Sequence, residues 1–449
     1  MNNSVGSLIS DKDVSSFVQK GKKMDVYFDR GLDVDTTPEG FSTPSNRDDF
    51  KYSPREYPQV IKYMGSKAGI LDFIGQGLAA VHAQGRPLVD LFAGACAISG
   101  GFGHMGQVIT NDIQKYSAVI ASTYLKRAKH IGMFDIVALA QPIADRVLES
   151  LPKNLSYPTK ATSLKAFNEI EGRNRKLIHK EFDTSHHLFT RMYSGTWWSA
   201  EQCVWIDALR EVLDGLLDAG EIEEPDFNLG LTCLLSAMAY TSQGTGHYAQ
   251  YRDAKTLEGM ADILKYRQAS VPVIFNRKFK LLLKWHLDNV VDRDNQMLSL
   301  DYRDCLKNIK SSVVYADPPY AFVHYSRFYH AMETLVKYDY PQIQHMRGQI
   351  VKGRYRSERH QSPFCIKTQV NKAFSDMFDG VKESGSDLLL SYSNTGMIDI
   401  EVLIDLATDH FGSDYKVWVN NIDHTHMTMG RSKDRSRKVE ESLIIAKKC

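Results

Sequence analysis

Cysteine is sparse in this chain of 449 residues, and no two of its six cysteines are spaced to work together. Cys96, Cys203, Cys233, Cys305, Cys365 and Cys449 form no C-x-x-C pair and have no histidine at ligand spacing. That argues against a disulfide framework or a structural zinc site, and for a reducing compartment. Long apolar runs are missing too, since no stretch approaches the roughly 18 residues of a membrane span. The opening MNNSVGSLISDKDVSS lacks a basic segment followed by an apolar run, so no secretory signal is expected. The expectation is a cytoplasmic protein with no membrane partner and no metal. Charge of one sign is also lacking: 55 Lys and Arg against 54 Asp and Glu leave a net +1. Any nucleic-acid contact must therefore come from local basic patches and not from the overall balance. No internal repeat or low-complexity tract is visible.

What is present suits a globular protein, with 43 % hydrophobic and 24 % charged residues. The length fits a large catalytic domain with insertions. Residues 1–56 are polar and without periodicity, and read as a partly disordered extension. Short apolar runs at 87–92 and 107–112 each end in a carboxylate or a small-residue turn, the pattern of buried parallel strands. Residues 116–285 read mainly as helix. Further strands follow at 312–316 and 387–392, and segments 416–420 and 442–446 look like a closing hairpin. Strands alternating with helices predict an α/β sheet, Rossmann-like, with ligands beyond the carboxyl ends of its strands. Residues 57–115 and 286–449 would then form the catalytic domain, and 116–285 an inserted helical domain.

Three segments carry chemistry. Asp317-Pro318-Pro319-Tyr320 directly follows a buried-looking strand. An aromatic amino group is a poor nucleophile because its lone pair is delocalised into the ring. A carboxylate on Asp317 and a bare carbonyl on Pro318 could accept its N–H groups and localise that pair. Two prolines fix φ and remove donors from the turn, and Tyr320 offers a flat face to a base taken out of a duplex. The plain structural alternative is a strand-ending turn with an aromatic plug. The second segment, Asp90-Leu91-Phe92-Ala93-Gly94-Ala95-Cys96-Ala97, has small residues after a strand, which let a ligand approach the backbone. Asp112 follows near the ~20-residue offset at which a carboxylate binds ribose hydroxyls; without a ligand this is only a tight turn. The third, Lys62-Tyr63-Met64-Gly65-Ser66-Lys67, alone would be a polar helix start with solvated lysines.

In this order the segments resemble the Dam-like (D12 class, alpha-type) DNA adenine-N6 methyltransferases of bacterial restriction-modification or phage type. The similarity extends from about residue 57 to 448 and takes in Gly195-Thr196-Trp197-Trp198, residues 246–251, Tyr325-Ser326-Arg327-Phe328-Tyr329-His330 and residues 391–394. It implies a methyltransferase sheet that uses S-adenosyl-L-methionine. Tyr63, Gly65 and Lys67 would hold the methionine end of that cofactor, with Lys67 near its carboxylate. Asp90, Phe92, Ala93 and Gly94 would wall the pocket, Asp112 would bind the ribose, and Asp301 and Tyr302 would meet the adenine. Asp317, Pro318, Pro319 and Tyr320 would be the catalytic group, acting by base flipping and direct transfer without a covalent enzyme intermediate. One position departs from the family: Cys96 stands where a second glycine is usual, and a left-handed backbone there would be strained.

The resemblance implies double-stranded DNA as substrate and admits a cognate restriction endonuclease or defence-system subunits as partners. For phosphate contact the basic run after the tetrapeptide offers Arg347, Lys352, Arg354, Arg356 and Arg359, and a second set includes Arg435 and Arg437. Target reading is expected in the 116–285 block, whose basic residues include Lys165, Arg173, Arg175, Lys176 and Lys180. His247 and Tyr251 suit a structural or DNA-facing role. Two other functions share the fold: methylation of RNA or protein glutamine, and a DNA-binding regulator or complex subunit without turnover, for which Cys96 is the only sequence support.

Overall fold

The computed structural model describes residues 52–160, 163–244, 246–319, 324–394, 396–427 and 436–449, with the side chains of 423–427 and 436–439 left aside. The expected extension over residues 1–56 falls almost wholly outside them. Seven strands form the main sheet: β1 Leu88–Asp90, β2 Val108–Asn111, β3 Gln296–Leu298, β4 Val313–Ala316, β5 Asp387–Ser393, β6 Tyr415–Met427 and β7 Ser436–Lys448. Their order is β3-β2-β1-β4-β5-β7-β6. All neighbours pair in parallel except β7, which runs antiparallel to both β5 and β6. This is the mostly parallel α/β sheet that the alternating pattern predicts.

The strands at the centre are buried at every position, which is why they read as unbroken apolar runs. From β1 the chain steps outward through β2 and β3, then returns to lay β4 on the other side of β1. The order therefore reverses between β1 and β4, and a crevice opens at the carboxyl ends of those two strands. Asp90 closes β1 and Asp317 follows β4 directly, so the topology alone brings two acids to the same rim.

Helices cover both faces. One layer, Tyr302–Lys307, Val370–Glu383 and Ile400–Phe411, packs on Val314, Leu388 and Leu390. On the other side Leu71–Ala80 and Ala97–Phe102 pack on Val313, Leu389 and Ile445. Gly77 marks how close the first of these comes, because a Cβ there would stand 2.5 Å from Leu443 Cδ2.

The described residues of 116–285 are mainly helical, with the long helices Ala200–Asp218, Glu224–Thr241 and Val271–Asn289 at their centre. Local chemistry starts them. Ser199 and Gln202 form a reciprocal capping box, and Ser270 caps the third with Pro272 in its first turn. Asp226 accepts the N–H groups of Lys129, His130 and Ile131 at 2.8, 2.7 and 2.9 Å, which fixes the chain as it leaves the sheet. Most of the block's apolar side chains belong to a core that also contains Val60, Ala93 and Val108 and reaches Tyr329 and Leu335. Trp197 and Trp198 lie fully buried in it. Residues 47–449 make one compact unit. No helix among the described residues is long and apolar enough to cross a membrane, and all six cysteines are free thiols.

Candidate active site

The turn after β1 is shaped by Gly94 and Asp112. Gly94 has φ +50°, and a Cβ on it would stand 2.8 Å from the Tyr63 ring. Its N–H donates to Asp112 Oδ2 at 2.9 Å, while Gln114 N–H donates to Oδ1 at 2.8 Å. Burial pushes the Asp112 carboxyl above its usual range, and these two N–H bonds oppose the shift. The neighbouring Asn111 is a clamp: its amide reaches the carbonyls of Leu91 and Leu300 and accepts the Leu300 N–H at 3.0 Å. It ties the β1 turn to the segment that presents Asp301.

Asp90 is 2 % exposed, and its Oδ2 has no hydrogen-bond partner among the described residues. Burial raises its carboxyl well above the ordinary carboxylate range, and the charges of Asp112 and Asp317 push the same way. Aromatic rings wall the rest. Tyr63 stacks on Tyr329 with centroids 4.5 Å apart, and Phe92 packs edge-on to Phe364 at 5.3 Å and beside Tyr302 at 5.8 Å.

Tyr63, Gly65, Lys67, Asp90, Phe92, Ala93, Gly94, Asp112, Asp301 and Tyr302 all line one cleft, together with Asp317, Pro318 and Pro319. Its empty space is about 1170 Å³, the open mouth included. Tyr320 lies outside the described residues. Asp301 lines the cleft while capping the helix Tyr302–Lys307 and pairing with Arg303 at 2.8 Å.

Lys67 is tied up within the protein. Its ammonium lies 3.1 Å from Asp317 Oδ1 and 2.6 Å from Glu441 Oε1, with only 4 % of the side chain exposed. Glu441, on β7, is fully buried and also accepts from Ser391 Oγ at 2.8 Å. Sequence reasoning missed Glu441; its only signal was an acid bordering the apolar run of β7. The geometry places the Lys67 ammonium between Asp317 and Glu441; the resemblance had suggested a place near the cofactor's carboxylate.

Cys96 has φ 62° and ψ 39°, the left-handed conformation that favours glycine. Its side chain is fully buried and its Sγ lies 3.1 Å from Ser117 O. Burial, with Asp90 and Asp112 nearby, drives the thiol well above its usual pKa. Cys96→Ala keeps the strained backbone and loses the sulfur contacts, whereas Cys96→Gly loses both. The expected result is that the glycine variant is more stable than the alanine variant by about 1 kcal/mol in urea denaturation. An alanine variant of equal or greater stability would mean that the backbone carries no left-handed strain.

The basic residues expected to meet phosphate divide. Arg354 and Arg356 are each 6 % exposed. Arg354 donates to the carbonyls of Met192 and Arg175, and Arg356 pairs with Asp339 Oδ2 at 2.5 Å. Both guanidiniums are committed inside the fold, because a buried arginine must satisfy its donors before it can reach solvent. Lys352 pairs with Asp253 over the Tyr251 ring, and Arg175 lies over the same ring at 4.4 Å. Arg347 is exposed in the turn between His345–Met346 and Gln349–Ile350. Arg359 donates to Gln344 at 2.9 Å. Arg435 lies outside the described residues, and Arg437 pairs with His426 in the β6–β7 ladder, its side chain undescribed. His247 stacks on Phe328 at 4.5 Å.

The strand order and the acids gathered where it reverses mark a methyltransferase of the Rossmann-like class. More narrowly, the family of D12 class N6 adenine-specific DNA methyltransferases matches residues 63–193 and 251–385, more than half the chain, and the protein belongs to that family. Among curated relatives, modification methylase LlaI of Lactococcus lactis subsp. lactis is 24 % identical over 391 residues, or 86 % of this chain and 55 % of the relative. Type II methyltransferase M.FokI of Planomicrobium okeanokoites is 23 % identical, covering 78 % of this chain and 47 % of its own. Type II methyltransferase M.NlaIII of Neisseria lactamica is 23 % identical, covering 76 % and 85 %. The chain thus spans about half the length of the first two.

Proposed function

We propose that the protein transfers a methyl group from S-adenosylmethionine to the exocyclic amino group of adenine in double-stranded DNA. The observation that carries this reading is that Asp317, Pro318 and Pro319 open into the same cleft as the Gly94–Asp112 turn. The cleft's own chemistry suits the cofactor. A turn with no room for a Cβ admits a ligand against its backbone, and Asp112 is set to accept ribose hydroxyls. Asp90, whose buried Oδ2 has no partner among the described residues, lines a cleft that would receive a cation. Phe92 and Tyr302 offer flat faces to a purine. The bound cofactor supplies the electrophilic methyl group.

The chain's part is positioning. Asp317 and the Pro318 carbonyl accept the two N–H bonds of an extruded adenine and localise its lone pair, while Tyr320 stacks on the base. The 116–285 helices read the target, and the exposed Arg347 and the Arg437 strand contact phosphate. Such an enzyme acts in the cytoplasm beside the DNA, and relatives named modification methylases support pairing with a cognate endonuclease.

Incubation with methyl-labelled cofactor and duplex DNA, followed by nucleoside analysis, is expected to put the label in 6-methyladenine. Label in RNA or protein, or DNA binding without label, would overturn the proposal.

A further inference from the structure

Two arginines beside the cleft meet no carboxylate among the described residues. Arg327 sits on the helix Tyr325–Phe328, and Arg359 on the strap that leads from the short hairpin back to the cleft. The strap is held in place: Ser326 Oγ donates to His360 O at 2.5 Å, and both of these neighbours line the cleft. The two guanidiniums converge on the ring of Tyr355, at 4.9 and 5.1 Å from its centre. Tyr355 is 2 % exposed and anchored through its hydroxyl to the carbonyl of Ala249, so it is a fixed platform.

Among the described residues neither arginine forms an ion pair, in contrast to Arg267 on Glu171 and Arg356 on Asp339. The Nε of each is buried without an acceptor. Their mutual repulsion is felt locally: burial and the Arg327 charge push the Arg359 guanidinium down, and both arginines, after burial, hold His324 in the cleft below its usual value. Two like charges with unmet donors, partly withdrawn from water, are costly unless an anion with several acceptor oxygens completes them.

We propose that Arg327 and Arg359 form an anion site that clamps a backbone phosphodiester of the strand carrying the target adenine. This rests on the functional reading above. A phosphodiester offers two oxygens in the geometry an arginine fork accepts, and the site flanks the mouth through which an extruded base enters. A near-neutral chain needs such local cations to hold DNA. Cytosine or guanine edges are weaker candidates because Tyr355 fixes the guanidiniums rather than leaving them free to follow a base. The other carboxylate or phosphate source near the cleft is the cofactor itself, and the test separates the two.

Arg327→Gln, Arg359→Gln and the double variant would be measured for duplex binding across a salt series, for cofactor binding, and for single-turnover methylation beside the wild type. The double variant is expected to weaken DNA binding about tenfold and to lower the slope of log K against log salt by about one, the single phosphate charge that the pair neutralises, and each single variant to show part of both effects. Cofactor affinity stays unchanged. Arg327→Lys keeps the slope and recovers part of the affinity. An unchanged slope overturns the proposal, even with weaker binding, because it means that the arginines act only through Tyr355. A loss of cofactor affinity with an intact slope overturns it in favour of the cofactor's carboxylate. If the wild type methylates no DNA, it is the functional reading that fails; DNA binding and its salt slope still decide the clamp.

Discussion

Asp317→Ala is expected to fold, to bind cofactor, and to lose about 10²–10³-fold in the methyl-transfer rate, the usual range for removing one preorganised partner of the reacting group. The geometry explains why the loss would fall on chemistry. Asp317 is 19 % exposed at the rim of the cleft, and its partner Lys67 keeps a shorter contact with Glu441 at 2.6 Å when Asp317 is gone. No buried charge is stranded, so stability changes by about 1 kcal/mol or less. Asp317→Asn retains one acceptor oxygen but presents an NH₂ group, so it should fall between the alanine variant and the wild type. Single-turnover assays with labelled cofactor, beside calorimetric cofactor titration, separate the two effects. A wild-type rate in Asp317→Ala would remove the carboxylate from the mechanism.

The largest stability effect is expected at Lys67. Its ammonium is a counter-charge of Glu441, which is fully buried in the sheet and also accepts from Ser391 Oγ. Lys67→Met removes that counter-charge, and breaking a buried pair from one side costs about 3–5 kcal/mol. Removing both charges is much cheaper, so Lys67→Met/Glu441→Gln should recover most of the lost stability, a coupling that a double-mutant cycle in urea isolates. The double variant should fold yet remain slow in methyl transfer, because Asp317 then loses its contact with the Lys67 ammonium. If the single variant costs under about 1 kcal/mol, Lys67 and Glu441 do not form a buried pair.

The elements that were legible before the structure share a physical cause. A strand covered on both faces must be apolar throughout, so β1, β4 and β5 announced themselves as short unbroken runs. The turns that followed them carried residues with few other uses: Gly94 where no Cβ fits, and two prolines after Asp317. Asp112 could be placed by its offset because the β1-to-β2 unit has a nearly fixed length. Arg354 and Arg356 could not be read in the same way. In sequence they sit in a basic run indistinguishable from a phosphate-binding loop, and only the packing of that run against Met192 and Asp339 shows that their charges are used inside the fold.

By itself the chain's pattern of apolar runs, small residues and prolines determined a parallel sheet with a small-residue turn after β1 and an acid-proline turn after β4. Those are local properties, written in neighbouring residues. Tertiary structure alone decided which charges meet: Lys67 with Glu441, 374 positions apart, Asp90 beside Asp317 where the strand order reverses, and Arg327 with Arg359 over one tyrosine ring. Coulomb energy depends on distance in space and on exclusion of water, and neither quantity is carried by separation along a chain.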